Sequence, residues 1–375
     1  WFERAYRQAD RALTDQALRG VGFASESVAN AATRELEGWY DLLEIMARDE
    51  RLLNGLESLE SESTPGGWLS EMNDAELPEE SRDELRRRLL VHPGQRQLQE
   101  VLSEYRAKAP KVFGWFVLER NGLQVAREPE NKTIGMNYAW RTYYHGEEID
   151  YADQRSYEGS ARRRIRATHL SAAFVSQITD RWVVVISTPV YRYSDSQPQA
   201  VFDDDNFLGV VALMFELGEI TQIPDSDAER VFSALVDTRV GRRGAILQHP
   251  LYESLLRASD RRLPDRFQDL RVDLDGWKPI SHGSQLSLKS NYRDPLGKDP
   301  EGAMFDRRWL AAKAPVQVRG VDTGLWAIVQ QSYDQTIGNE LARLHEKIVL
   351  VAFASLALIV CLVIPTWAIV LRVTR

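Results

Sequence analysis

The last stretch of the chain, residues 348–371 (IVLVAFASLALIVCLVIPTWAIVL), runs 24 residues without a charged side chain. As a helix rising about 1.5 Å per residue it covers the roughly 30 Å hydrocarbon core of a bilayer. Only Ser355, Pro365 and Thr366 interrupt its apolar character. A helix satisfies its own backbone in lipid, and a proline is tolerated where neighbouring groups take up the freed carbonyl. A buried core helix is the weaker reading at this length. The sequence therefore predicts a membrane-anchored protein with one visible span, preceded by 347 residues of ordinary polar-surfaced chain. Arg343 and Lys347 stand before the span and Arg372 and Arg375 after it, so flanking charge sets no orientation. The chain opens on Trp1, without a Met or signal-type leader, and reads as a piece of something longer with a second span expected upstream.

A net charge of −8 with no long basic run argues against a nucleic-acid partner; residues 161–166 (ARRRIR) form only a short cluster. The single cysteine, Cys361, lies inside the span, which removes any intrachain disulfide or cysteine metal site. No cofactor is predicted.

Residues 1–47 read as one long helix. Leu18, Val21, Ser25, Val28, Ala32, Leu36, Trp39, Leu43 and Met46 recur at three–four spacing with no proline, the pattern of a packing face. It suits a helix running beside a domain or pairing with its twin in a homodimer. Thr64-Pro65-Gly66-Gly67 breaks the pattern, and Pro78 and Pro93 punctuate shorter helices. Residues 112–118 (VFGWFVL) then read as a strand, Asn121-Gly122 as a hairpin turn and 123–126 as the return strand. Strands at 182–190 and 207–217 follow an irregular region, and the acidic residues 203–206 between them read as a solvated turn rather than a calcium loop. A shorter copy of this order comes next. Residues 309–316 (WLAAKAPV) echo 182–190 (WVVVISTPV), and 324–331 (GLWAIVQQ) echo 209–216 (GVVALMFE). The fold class is α+β, built on antiparallel sheets. The predicted units are a helical region 1–96, a first lobe 97–222, a second lobe 223–333, a stalk helix 334–347 and the span 348–371, with the lobe boundary near Pro224.

A long helix, two tandem lobes and a stalk entering a membrane helix resemble the double Cache (dCache) sensor domains of bacterial receptors. The local matches are 135–144 (GMNYAWRTYY), Thr188-Pro189-Val190, 209–212 (GVVA) and 244–250 (GAILQHP), spread over about residues 1–347. The stretch 169–176 (HLSAAFVS), with Glu216 and Glu219, looks most like the dCache domains attached to serine/threonine protein kinases, although no kinase motif is present here. The resemblance implies two PAS-like lobes, a sensor region outside the cell inner membrane, a small-molecule ligand in the membrane-distal lobe and an output domain beyond this chain.

Family members that bind amino acids share an Arg-x-Trp-Tyr core and an Asp on a later strand. The arginine forks onto the ligand carboxylate, aromatic side chains wall the pocket, and the Asp takes the ammonium. Here Arg141 and Tyr144 match, Tyr143 stands in place of Trp, and Met214 stands where the Asp is expected, with Tyr138 and Trp140 as further wall residues. Without that acid an ammonium is left unpaired, so a small carboxylate or other anion is the predicted ligand. Glu216, two residues beyond Met214 on the same strand face, is the one candidate to restore cation binding. The competing readings are an ion-paired arginine for Arg141 and plain aromatic core for the tyrosines and Trp140. The six histidines are scattered without metal spacing, and no nucleophile elbow, phosphate loop or kinase loop is present, so this region is not predicted to be an enzyme. The alternatives are a membrane-anchored extracytoplasmic enzyme and a protein-binding module without a small ligand.

Overall fold

The computed structural model describes residues 2–110, 112–160, 163–176, 182–192, 204–216, 228–258, 263–281 and 284–373. The predicted lobe boundary near Pro224, Glu219, Asp203 and part of the 161–166 cluster lie outside the described residues.

Two antiparallel sheets carry the fold. The first is made by β1 (Gly114–Glu119), β2 (Gln124–Glu128), β3 (His169–Leu170), β4 (Phe174–Val175), β5 (Trp182–Tyr191) and β6 (Phe207–Glu216). Their order is β2-β1-β6-β5-β3, with β4 also paired to β5. The second contains β7 (Val231–Asp237), β8 (Ala245–Gln248), β9 (Lys278–Pro279), β10 (Ser287–Tyr292), β11 (Trp309–Val318) and β12 (Val321–Ser332), in the order β8-β7-β12-β11-β10-β9. Both sheets thus place a hairpin beside the last strand and the second-last strand beyond it, which is the repetition seen in the sequence. The first hairpin lies one to two residues further along than its sequence reading and turns at Gly122, whose φ of 89° suits glycine.

Strand alternation sorts the first sheet into two faces. Trp115, Val117, Val184, Ile186, Val211 and Leu213 face a core shared with the helices. Phe116, Leu118, Val183, Val185, Ala212 and Met214 face the opposite layer, where the irregular segment 129–160 folds over with two short helices.

α1 (Phe2–Met46) has 45 residues and no proline, about 67 Å of helix. Its predicted stripe is buried, apart from Val28 and Trp39, which are half-buried. The stripe packs on both sheets: α1 lies against β10, β11 and β12 and reaches β5 and β6 at its far end. Ser25, fully buried, donates from Oγ to the Ala327 carbonyl at 3.0 Å, and the Trp39 and Phe215 rings stand 4.3 Å apart. α2 (Glu50–Ser63), capped by Asp49, is followed by α3 (Trp68–Met72), α4 (Glu79–Val91) and α5 (Pro93–Lys108). α2 and α5 cover the same face of the first sheet, at β1, β2 and β6, so the helical region joins that core. The remaining short helices are α6 (Thr142–His145), α7 (Gln154–Glu158), α8 (Pro250–Ala258) and α9 (Asp265–Gln268).

β12 leads through a π-helical turn, Asp334–Gly338, directly into α10 (Asn339–Val373). Ile337 and Leu341 are buried where this junction meets α1, and Tyr333 donates to Asp10 of α1 at 2.5 Å. Beyond it the apolar side chains stand clear of the protein: Leu350 is 70 % exposed and Phe353 68 %. A core helix would have them covered. This helix is long and apolar enough to cross a membrane.

Candidate functional site

The layer outside the first sheet forms a partly open cavity of about 50 Å³, lined by Phe116, Gln124, Arg127, Thr133, Tyr138, Arg141, Tyr143, Phe174, Ser176, Val185 and Met214. β2 and the loop that follows it build one wall. Met136 accepts from the Gln124 N–H, Gly135 donates back to the Gln124 carbonyl, and Tyr138 donates to Gly122, each near 2.8–2.9 Å. The Thr133 hydroxyl donates to the Gln124 side-chain oxygen. The loop is therefore stitched to β2 almost as an extra strand, which fixes Tyr138 and Arg141 at the rim.

Arg141 is not free. Its Nη1 pairs with Asp150 Oδ2 at 2.7 Å, while Asp150 Oδ1 accepts from the Thr142 N–H at 2.7 Å. The guanidinium is held between the rings of Trp140 (4.0 Å) and Phe174 (4.6 Å), and its buried Nε has no partner. Arg141 thus lines the cavity and is ion-paired at the same time.

Arg127, which the sequence reading did not single out, lines the same cavity. It pairs across the hairpin with Phe116 and shares its inward face. Only 4 % of it is exposed, its Nε lacks a partner, and no carboxylate pairs with it among the described residues. The adjacent carboxylate, Glu128, is turned to Gln99, Ser103 and Arg106 instead. Gly114 makes room for the guanidinium, since a Cβ there would stand 3.2 Å from Arg127 Nη2. Burial pulls the Arg127 guanidinium below its ordinary value, opposed only by the Tyr138 and Tyr143 phenols nearby. Burial likewise pushes both phenols up, so they stand as neutral hydroxyls.

Of the predicted site residues, Tyr138, Arg141, Tyr143 and Met214 line the cavity. Trp140, Tyr144 and Glu216 are outside it. Trp140 packs on Arg141 and donates to the Asn137 carbonyl, and the Tyr144 hydroxyl points away to the Arg120 carbonyl at 2.5 Å, among Tyr157 and Phe207. Glu216 shares the face of Met214 but ends β6, paired with Val183 at the end of the β5–β6 ladder. The signal for Arg127 was present in 124–128 (QVARE), a basic residue within an otherwise buried strand.

The cavity wall is apolar on the Phe116, Phe174, Val185 and Met214 side, with two guanidiniums and several hydroxyl and amide groups on the other. Among the described residues no Asp or Glu lines it. Asp150 pairs with one guanidinium, and no carboxylate among the described residues pairs with the other, so the described lining carries an excess of positive charge. That arrangement favours an anion and penalises an ammonium.

The fold defines an architecture: two helix-bridged antiparallel sheets with an arginine-lined cavity in the first and an apolar helix leaving the second. No family model matches the chain, and no curated protein matches it. Solved structures similar to it include a histidine kinase sensor domain and chemoreceptor ligand-binding domains. The sensor domain of the histidine kinase DctB of V. cholerae is 14 % identical, with 85 % of this chain and 98 % of that one covered at a TM-score of 0.45. The ligand-binding domain of the Pseudomonas fluorescens chemoreceptor CtaA, in complex with L-leucine, is 13 % identical over 88 % and 97 %, at 0.44. That of the Pseudomonas aeruginosa amino-acid chemoreceptor PctC, in complex with GABA, is 14 % identical over 84 % and 100 %, at 0.42.

Proposed function

We propose that this chain is the extracytoplasmic sensor region of a membrane receptor, and that the cavity in its first lobe binds a small carboxylate without an ammonium group. The observation that carries the reading is Arg127, a buried arginine with no carboxylate partner among the described residues, opening on a cavity where Arg141 supplies a second, partly committed guanidinium. A cavity of about 50 Å³ suits an acid of a few carbon atoms, its tail against Phe174, Val185 and Met214. Met214 in place of an acid, and Glu216 outside the cavity, count against an ordinary amino acid.

The second part of the proposal is transmission. The second sheet runs through the turn at Asp334–Gly338 into the apolar helix, and α1 ties both sheets to that junction. A ligand that favours one placement of lobes and stalk biases the span by its differential affinity for the two states. About 1–3 kcal/mol of coupling changes output several-fold. The sensor lies outside the inner membrane, the receptor works as a homodimer, and the output domain stands beyond this chain. The 169–176 resemblance supports a serine/threonine kinase as that output.

The test is thermal stabilisation of the full chain in detergent micelles by sodium propionate and by propylammonium chloride. Propionate should stabilise and propylammonium should not. Arg141→Ala should weaken the propionate response, and a response to the amine alone would reverse the reading.

A further inference from the structure

The wall of the cavity is gripped from behind by the other lobe. Asp237, the last residue of β7, is fully buried, and its carboxylate holds Arg239 on three sides. Oδ1 accepts from the Arg239 N–H and Nε at 3.0 Å each, and Oδ2 accepts from Nη2 at 2.8 Å. The stem of Arg239 passes over Gly324, where a Cβ would stand 2.3 Å from Arg239 Cγ. Gly324 holds a φ of 75°, so glycine is required there twice over. With the fork fixed in this way, the remaining nitrogen, Nη1, crosses to the first lobe and donates to the Ser171 carbonyl at 2.6 Å.

Ser171 is bound to the cavity's own wall. It is fully buried; its N–H donates to the Val185 carbonyl at 2.8 Å, and its hydroxyl accepts from the Val185 N–H at 2.9 Å. The next residue, Ala172, donates to the Thr142 hydroxyl at 3.1 Å, and Thr142 is the residue that holds Asp150 beside Arg141. Three residues beyond Ser171, Phe174 lies on the Arg141 guanidinium. Val185 and Phe174 both line the cavity. A second arginine of the same turn, Arg242, lies 5.0 Å from the Trp182 ring at the start of β5.

We infer that Arg239 is a positioning residue for the ligand site, clamping the 169–176 segment to β7 so that an anion drawn between Arg127 and Arg141 is felt in the second sheet. The inference rests on the anion reading above. Its physical basis is a bidentate charged pair, which fixes a direction as well as a distance, delivering one more donor to a backbone acceptor in the other lobe. A lysine in its place has a single ammonium and cannot fork onto Asp237 while reaching Ser171.

Hydrogen exchange on the full chain, with and without sodium propionate, tests it. In the wild type propionate should slow exchange both at 169–176 and at 238–244. Arg239→Gln and Arg239→Lys should keep the slowing at 169–176, lose it at 238–244, and change propionate affinity by about fivefold or more. Arg243→Gln, an exposed arginine of the same turn paired with Asp275, should behave as wild type. No slowing anywhere in the wild type overturns the anion reading together with the clamp. Slowing confined to 169–176 in the wild type, or slowing at 238–244 that survives both Arg239 variants, overturns the clamp and leaves the anion reading standing.

Discussion

Replacing Arg127 with methionine should do two things of opposite sign. Arg127 is 4 % exposed, its Nε has no partner and no carboxylate among the described residues pairs with it, so the ligand-free protein bears much of its desolvation uncompensated. Removing an uncompensated buried charge while keeping an apolar stem should stabilise the ligand-free chain, on the order of 1–3 kcal/mol. The same change removes a charge-assisted hydrogen bond to the ligand, worth about 1.5–3 kcal/mol, or roughly 10- to 150-fold in affinity. Thermal melts of the full chain in detergent, with and without sodium propionate, read both. The expected result is a higher melting temperature without propionate and a lost shift with it. Most core substitutions destabilise. A ligand-free melting temperature that falls by a comparable amount would mean that Arg127 has a partner in solution, and the argument for an anion site would go with it.

Gly114→Ala places a Cβ 3.2 Å from Arg127 Nη2 and 3.5 Å from Met214 Cε, and should lower propionate affinity about fivefold, the effect of roughly 1 kcal/mol of crowding, as titration calorimetry would show. Burial, with help from Arg239, pushes the His169 imidazole down to about 4. The unfolded chain therefore takes up that proton first, near pH 6.5, so stability is full above that pH and falls as pH drops towards 4. The loss is about 3 kcal/mol, and His169→Gln should flatten this part of the stability profile measured by denaturant unfolding. Ser25→Ala removes the buried hydrogen bond from α1 to the Ala327 carbonyl and should cost about 1 kcal/mol in the same measurement while leaving propionate affinity unchanged.

What could be read from the sequence was what local pattern determines. The long apolar C-terminal helix needs only composition and length, and α1 needs only its three–four spacing, since each stripe residue is placed by its neighbours on one helix. The repeated sheets were legible because strands opening on Trp182 and Trp309 keep their alternation whatever lies beside them. The site depended on relations the chain order hides. Arg127 faces the cavity because β2 pairs with β1 in the register that sets it opposite Phe116. Asp150 reaches Arg141 across a loop with no periodicity to follow. Tyr143 and Tyr144, adjacent in sequence on a single helical turn, point to different places, one into the cavity and one to the Arg120 carbonyl. Motif matching treats such neighbours alike, and the fold separates them.

The most direct test of the central claim is the anomalous scattering of bromine in crystals of the full chain grown with 2-bromopropionate. The account predicts a bromine peak inside the first-lobe cavity, beside Phe174 and Met214, with the carboxylate on Arg127. A cavity without bromine in crystals whose only peak lies elsewhere on the protein would contradict it.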